Sequence, residues 1–252
     1  MSHINYTTQL VGCRGFVLAL LFWLGGCASL QGEDYATYDP WEEFNRDSYA
    51  VSDAVDRAVL VPVAKGYKQV TPDWLEAGIG NMFLNLRTVT SSANGFLQGK
   101  PKSGFTDLGR IVVNSTIGIG GFFDVASGWG WRYQNEDLGQ TLAVWGMKKS
   151  RYFYIPFMGP TTLRDLPSNI VNSYVPRLIF GSDYHWAISV VDVVNTRAQL
   201  LSATRVRDAS ALDPYAFTRD AYFQRRKFLI YDGDPPIEDF FDDFGDDDLE
   251  DF

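Results

Sequence analysis

Residues 39–59 read DPWEEFNRDSYAVSDAVDRAV, and this stretch has the pattern of an amphipathic helix. Asp39 is a residue type that caps helices, and Pro40 suits a first helical turn. The apolar side chains that follow recur at helical spacing, at Phe44, Val51, Val55, Ala58 and Val59. Charged side chains occupy the opposite face, so the stretch predicts a helix with one apolar side.

The same pair of a capping residue and a proline occurs twice more along the chain. Thr71-Pro72 precedes an apolar run at helical spacing over residues 74–86, and Asp213-Pro214 precedes a run that ends near Leu229. Each pair therefore predicts the start of a helix. Further helices, separated by glycine or proline, are predicted at residues 63–70, 88–97, 103–115, 136–146, 161–174 and 185–203.

Few stretches of this chain alternate between apolar and polar residues as β-strands do. Residues 152–160, YFYIPFMGP, are too apolar and too interrupted by proline for a helix, so we predict an extended, buried segment. No pair of alternating runs is joined by a two-residue turn. We therefore predict an all-α fold, with a single domain of many short amphipathic helices over residues 39–231.

The N-terminal residues 1–26 have the features of a signal peptide. Nine uninterrupted apolar residues, 16–24, follow a single arginine. As a helix they would span about 14 Å, which is too short to cross roughly 30 Å of hydrocarbon. The segment is therefore predicted to be a cleaved leader.

The leader ends in Leu24-Gly25-Gly26-Cys27, which resembles a bacterial lipobox. This predicts that Cys27 is acylated and begins a lipidated tether, residues 27–38. Ala28, in place of an aspartate, favours sorting to the outer membrane. The alternative is a plain secretory signal with an incidental cysteine.

The net charge of −9 comes from the C-terminal end of the chain. Residues 232–252 contain 11 acidic residues and no basic one, whereas the body is nearly neutral. Such a density of like charge predicts a disordered tail, which either only solvates the protein or docks on a basic surface of a partner. An anionic tail argues against nucleic acid as a partner, because binding to phosphates needs clustered lysine and arginine.

Few residues are available for catalysis or metal binding. Without the leader the chain keeps one cysteine and one histidine, too few for an intrachain disulfide or a structural zinc site. The common nucleophile, phosphate-loop and metalloprotease motifs are absent. We therefore predict no catalytic residue, no metal and no cofactor. The alternative from another class is a lipid hydrolase that uses a serine with His185, although Tyr184 and Trp186 beside it favour packing or a membrane interface.

The glycines at Gly118, Gly120 and Gly121 only superficially match a dinucleotide-binding motif. The third glycine position of that motif is Phe123, and no predicted strand precedes it. These glycines instead predict close backbone packing or a hinge.

Several segments in this order resemble the MlaA (VacJ) family of outer-membrane lipoproteins over roughly residues 39–230. They include DPWEEFNR at 39–46, VPVAKGY at 61–67, NMFLNLR at 81–87, NSTIGIGGFFDVA at 114–126, NEDLGQTL at 135–142, PFMGP at 156–160, LRD at 163–165, TRAQLL at 196–201, DPY at 213–215 and RDAYFQR at 219–225. The resemblance implies a helical, ring- or disc-like protein embedded in the periplasmic leaflet of the outer membrane.

The resemblance also implies a function without covalent chemistry. Such a protein removes mislocalised phospholipid from the outer leaflet, associates with a trimeric porin and passes the lipid to a soluble periplasmic carrier. A lipoprotein scaffold that only bridges porins is the alternative.

One loop departs from the pattern of the family. Relatives resemble Gly-Val-Gly-x-Gly-Pro-Tyr, where this chain has GMKKSRY at residues 146–152. The cations Lys148, Lys149 and Arg151 replace flexible glycines, which predicts a loop that faces anionic headgroups. The alternative is an ordinary solvated loop.

The helix predicted at residues 185–203 carries a narrow polar stripe. Its members fall within about 120° of one another, and they are Ser189, Asp192, Asn195, Thr196 and Gln199. In a ring seated in a leaflet this stripe would line a passage for lipid headgroups, with a cation from the 146–152 loop offsetting Asp192. The alternative is a stripe that faces bulk solvent.

Overall fold

The computed structural model describes residues 39–147, 149–181 and 183–236. The predicted signal peptide, Cys27, Lys148 and most of the acidic tail lie outside these residues. The described residues form one compact unit. Its helical elements are α1 (Glu42–Val55), a π-helical turn (Asp56–Leu60), α2 (Val61–Val70), α3 (Asp73–Leu97), α4 (Pro101–Thr116), α5 (Val125–Gly128), α6 (Leu138–Val144), α7 (Leu166–Phe180), α8 (His185–Gln199), α9 (Leu201–Ser210) and α10 (Pro214–Ile230).

The predicted all-α class is confirmed, with differences in where helices begin and end. Residues 74–86 and 88–97 join in the single helix α3, because no glycine or proline that stops a helix separates them. The run predicted at 185–203 divides into α8 and α9 at Leu200. None of the described helices is long and apolar enough to cross a bilayer.

Only one of the three predicted capping side chains caps a helix. Asp213 accepts hydrogen bonds from the backbone N–H groups of Tyr215 and Ala216 at 3.0 and 3.2 Å. The caps predicted at Asp39 and Thr71 were wrong, since α1 and α3 begin without a side-chain cap. The carboxylate of Asp39 is instead buried inside the domain.

The segment predicted to be extended forms a β-hairpin between α6 and α7. Strand β1 (Tyr152–Ile155) pairs antiparallel with β2 (Gly159–Thr162), with Tyr152 opposite Thr162 and Ile155 opposite Gly159. A three-residue loop joins the strands, so the hairpin lacks the two-residue turn by which a hairpin is predicted from sequence. Tyr152 and Tyr154 are buried as predicted, whereas the loop residue Phe157 is 74% exposed.

An aromatic cluster packs the hairpin against α1 and α10. Its buried members are Tyr49, Tyr152, Tyr154 and Tyr215. Asp39 accepts a hydrogen bond from the Tyr215 hydroxyl at 2.5 Å. The cluster thus joins the first and last helices of the described chain to the hairpin.

Candidate functional site

The described part of the chain buries polar side chains and exposes apolar ones, the reverse of the usual arrangement in a water-soluble domain. Twenty-two polar or charged residues are buried there, against ten hydrophobic ones. Large apolar side chains remain exposed along the helices, such as Leu178 at 80% and Trp186 at 64%. Apolar surface of this extent indicates contact with lipid or with another protein.

The tryptophans show the same preference for the surface. All six among the described residues have exposed side chains, namely Trp41, Trp74, Trp129, Trp131, Trp145 and Trp186. An indole ring combines an apolar body with one N–H donor, so it is favoured where hydrocarbon meets lipid headgroups. The tryptophans therefore favour lipid as the contact of this surface.

Inside the unit, a charged cluster holds α10 against α6 and α7. Arg226 donates to Asp137 at 2.5 and 3.0 Å and to Asp165 at 2.9 Å. Arg164 and the Tyr222 hydroxyl also donate to Asp165, at 3.0 and 2.6 Å. Burial raises the pKa of Asp137 and of Asp165, but the neighbouring arginines outweigh burial and hold both carboxyl pKa values below their usual range. The cluster is therefore charged at neutral pH.

A second polar cluster holds the turn after α4. Arg110 is 1% exposed, and its guanidinium donates to Asp124 at 3.1 Å and to Ser127 at 2.9 Å. Asn114 donates to the same Asp124 carboxylate at 3.0 Å. These bonds fix the glycine-rich turn, residues 117–124, against the end of α4.

The three glycines of this turn differ in their surroundings. A Cβ atom at Gly118 would lie 2.5 Å from the carbonyl oxygen of Asn114, so a larger residue would meet backbone. Gly121 has φ +92°, and a Cβ there would lie 2.6 Å from the Cβ of Asn85 on α3. Gly120 also has a positive φ, but the space beside it is open. Two of the glycines thus allow close contacts, and whether Gly120 serves as a hinge stays a prediction.

An apolar cavity of about 320 Å³ lies between α3 and α8 and reaches the glycine-rich turn at Gly120. Its lining residues include Ile79, Met82 and Leu86 of α3 and Ala187, Ile188 and Val191 of α8. None of its lining side chains is charged or polar. Ligand pockets commonly measure roughly 300–1,000 Å³, so this cavity has room for part of an acyl chain rather than for a whole phospholipid.

The polar stripe of α8 contacts α2 and α3. Asn195 is 2% exposed and accepts a hydrogen bond from the hydroxyl of Tyr67 on α2 at 3.0 Å. Gln199 approaches α3 at Gly80, where an added Cβ would lie 2.9 Å from the Gln199 amide nitrogen. Ser189 donates to the carbonyl oxygen of His185 within its own helix at 2.8 Å.

Asp192, the anionic member of the stripe, is paired with an arginine of α3. Arg87 Nη2 donates to both carboxylate oxygens of Asp192, at 2.7 and 2.8 Å. Thr196 donates to the same carboxylate at 3.3 Å. We expected a cation of the 146–152 loop to offset Asp192, whereas the cation found beside it is Arg87.

The cationic loop lies immediately before β1. Gly146 has φ +113°, which favours glycine at this position. The guanidinium of Arg151 lies 6.0 Å from the ring centre of the exposed Trp41. Lys149 is exposed, and Lys148 lies outside the described residues. A cation beside a surface tryptophan fits a headgroup-facing loop, which stays a prediction.

The serine one helical turn from His185 bonds to backbone and not to the imidazole. Ser189 is the serine one helical turn away, and its hydroxyl donates to the His185 carbonyl oxygen. A hydrolase would need the imidazole to accept the proton of the serine. No group of three or more histidine, cysteine or acidic side chains within residues 39–236, as far as these are described, could hold a metal ion.

Sequence reasoning missed two residues that contact the stripe, Arg87 and Tyr67. Both lie within segments that carried the family resemblance, NMFLNLR and VPVAKGY. Neither was assigned a role, because helical periodicity gives the face of a residue on its own helix but not its partner on another.

Comparison with known proteins agrees with the geometry. The family model for the MlaA lipoprotein matches residues 37–229. The "Intermembrane phospholipid transport system lipoprotein MlaA" of Escherichia coli strain K12 is 33% identical over 219 residues, which cover 84% of this chain and 86% of the relative. The protein of the same name from Haemophilus influenzae is 32% identical over 219 residues, 83% of this chain and 87% of the relative.

A solved structure is also similar to this chain. It is described as "Structural basis for maintenance of bacterial outer membrane lipid asymmetry", and it superposes with a TM-score of 0.68 at 32% identity. The match covers 76% of this chain and 98% of the solved one. On the family model, the two named relatives and this structure together, the chain belongs to the MlaA lipoprotein family.

Proposed function

We propose that this chain is an outer-membrane lipoprotein that removes mislocalised phospholipid from the outer leaflet and passes it to a periplasmic carrier. The observation that carries the proposal is the reversed polarity of the domain, with polar side chains inside and apolar side chains outside. A protein of this kind is stable when its apolar faces contact acyl chains. The names of the E. coli and H. influenzae relatives support phospholipid as the cargo.

The lipid path in this proposal follows the contact between α3 and α8. The apolar cavity holds part of an acyl chain, and the polar stripe from Ser189 to Gln199 solvates the headgroup beside it. Desolvation of a charged headgroup is the costly step in moving a phospholipid, because an unpaired charge is strongly unfavourable in an apolar medium. A polar wall lowers that cost without any covalent step, so the chain needs no catalytic residue.

The proposal places the domain in the periplasmic leaflet of the outer membrane, anchored through acylated Cys27. The exposed apolar helix faces contact the lipid tails, and the exposed tryptophans lie at the headgroup boundary. Lys149 and Arg151 face anionic headgroups. A trimeric porin associates with the domain, and a soluble periplasmic carrier of the Mla system receives the lipid.

Two measurements distinguish this function from the alternatives, a porin-bridging scaffold and a lipid hydrolase. They are the amount of lipid bound to the purified protein and the effect of a single substitution. The protein purified in detergent should retain phospholipid, which a scaffold that only bridges porins need not do. Replacing His185 with alanine should leave outer-leaflet phospholipid as low as in the wild type. A protein that holds no lipid would favour the scaffold, and loss of lipid asymmetry with His185→Ala together with lost lipid cleavage would favour the hydrolase.

Replacing Cys27 with alanine should leave the protein uncleaved or wrongly sorted. One acyl chain gives only marginal binding, about 10⁴ M⁻¹, whereas two or more anchor a protein stably. Mass spectrometry of the mature N-terminus should therefore find an acylated Cys27 in the wild type. An unmodified thiol, or a mature N-terminus at another residue, would contradict the anchor.

The double variant Asn195→Leu with Thr196→Leu should increase phospholipid in the outer leaflet, because it makes the middle of the stripe apolar. Tyr67→Phe is the matched control, since it removes the 3.0 Å hydrogen bond to Asn195 and leaves the stripe polar. Protein level and porin association are measured alongside. If the double variant is present at the normal level and outer-leaflet phospholipid stays as low as in the wild type, the stripe does not line the lipid path.

A further inference from the structure

A second cavity, of about 190 Å³, lies where α8 meets α9 and faces the π-helical turn and α2. Four of its lining side chains are cations and one is an acid, namely Arg57, Lys65, Arg197, Arg205 and Asp208. It shares no lining residue with the apolar cavity between α3 and α8. Pockets for drug-sized ligands measure roughly 300–1,000 Å³, so this cavity suits an ion or a single headgroup.

The charges around this cavity do not balance. Three arginines and three aspartates pair with one another, as Arg197–Asp56, Arg57–Asp53, Arg57–Asp208, Arg207–Asp53 and Arg207–Asp208. Lys65 and Arg205 are exposed and form no ion pair with any residue that the structure describes. Two positive charges in the cavity lining are therefore left without a counter-charge from the described chain.

A buried donor in the same place also lacks an acceptor. Arg197 uses Nε and Nη2 to bind Asp56, at 2.7 and 2.8 Å. Its Nη1 atom is buried and has no hydrogen-bond partner within the described residues. A buried N–H of a charged group is unfavourable without an acceptor. An oxyanion in the cavity that Arg197 lines would supply acceptors close to this group.

Apolar side chains also line this cavity. They are Val61 of α2 and Leu201 of α9, which lie beside the cations. A free inorganic ion would gain nothing from these two side chains. A ligand with an anionic head and apolar tails would contact both the cations and the apolar lining.

We propose that this cavity binds the phosphate of an anionic phospholipid of the surrounding leaflet. Lys65 and Arg205 contact the phosphate oxygens, Arg197 lies behind them, and the acyl chains contact Val61 and Leu201. Charge-assisted hydrogen bonds of this kind are short and strong. The inference rests on the membrane position given under the proposed function, but it does not depend on lipid transport.

This site is tested by comparing the affinities of two lipids for the purified, acylated full-length protein in neutral detergent. Short-chain phosphatidylglycerol and phosphatidylcholine with the same acyl chains are titrated separately, so that binding to the apolar cavity contributes to both. The wild type should prefer phosphatidylglycerol by about tenfold or more. The double variant Lys65→Gln with Arg205→Gln should bring the ratio of the two affinities close to one. Both residues are exposed, so the fold should be unaffected.

The matched control is Lys102→Gln with Arg132→Gln. It removes one lysine and one arginine that are also exposed and form no ion pair with a described residue, but that do not line the cavity. This variant should keep the wild-type preference. If both double variants lose the preference for phosphatidylglycerol equally, the preference comes from long-range charge attraction alone, and the site is overturned. An unchanged preference in Lys65→Gln with Arg205→Gln would also overturn it.

Inorganic phosphate distinguishes the two sources of a phosphate group. If the ligand is a lipid, phosphate added at the same concentration as phosphatidylglycerol should not displace it. Displacement by equimolar phosphate would overturn the lipid assignment. The preference between the two lipids is measured as binding and involves no transport step. If the proposed transport fails in cells, this binding result still tests the site on its own.

Discussion

Replacing Arg226 with methionine should lower the free energy of unfolding by about 3–5 kcal/mol. The guanidinium lies between Asp137 and Asp165, and the side chains of Arg226 and Asp165 are 11% and 5% exposed. Methionine fills similar space but leaves two buried carboxylates without their main counter-charge. Unfolding of the protein in detergent micelles, followed by circular dichroism in denaturant, measures the loss.

The loss should depend on pH in a defined direction. Burial raises the pKa of Asp137 and Asp165, but the arginines outweigh burial, so both values lie below the usual carboxyl range in the folded protein. The stabilisation is therefore present above the unfolded carboxyl pKa, about 3.9, and is lost as the pH falls through the folded values. The difference between wild type and Arg226→Met should shrink accordingly on acidification.

Arg46→Met is the matched control for this prediction. Arg46 also forms ion pairs, with Asp213 and Glu42 at 2.7 Å, but these side chains are 40–46% exposed. Exposed pairs contribute little because water screens them, so the expected loss is about 1 kcal/mol or less. Equal losses in the two variants would contradict the account of a buried charged cluster.

Replacing Gly118 with alanine should cost about 3 kcal/mol, because the turn leaves no room for a methyl group. The added Cβ would lie 2.5 Å from the carbonyl oxygen of Asn114 and closer still to that of Phe123. Both atoms are backbone atoms within a turn closed by its own hydrogen bonds, at 2.8 Å from Gly121 N–H to Asn114 and 2.9 Å from Phe123 N–H to Gly118.

The same substitution should raise outer-leaflet phospholipid, because the turn reaches the apolar cavity at Gly120. Gly128→Ala is the control, since nothing lies within 4 Å of a Cβ there, and it should change the free energy of unfolding by less than about 1 kcal/mol. A Gly118→Ala protein as stable as Gly128→Ala would show that the turn moves easily and would refute the tight packing.

Local patterns predicted the helices well and the caps less well, for one physical reason. Asp213 caps α10 through backbone groups two and three residues away, which is information that the local sequence contains. Asp39 looks the same in sequence, yet its carboxylate accepts from Asn45 and from Tyr215, 176 residues further on. A contact over that distance depends on the tertiary fold, so no local rule could assign it.

The candidate site could likewise be predicted only in part, where its features depend on local sequence. Periodicity identified the polar stripe of α8, but its partners Arg87 and Tyr67 are on other helices and could not be identified from spacing. The apolar cavity and the cation-lined cavity each combine side chains from distant segments. The reversed polarity of the domain was equally hidden, because an amphipathic pattern does not say which face is turned inward.

The amount of phospholipid in the outer leaflet tests the central claim most directly. It is measured by labelling intact cells with a membrane-impermeant reagent for amine headgroups, in a strain that lacks this gene and in the same strain with the gene restored. We predict that labelled phospholipid rises when the gene is removed and returns to the wild-type level when it is restored. An unchanged amount in the strain without the gene would contradict a role in removing phospholipid from the outer leaflet.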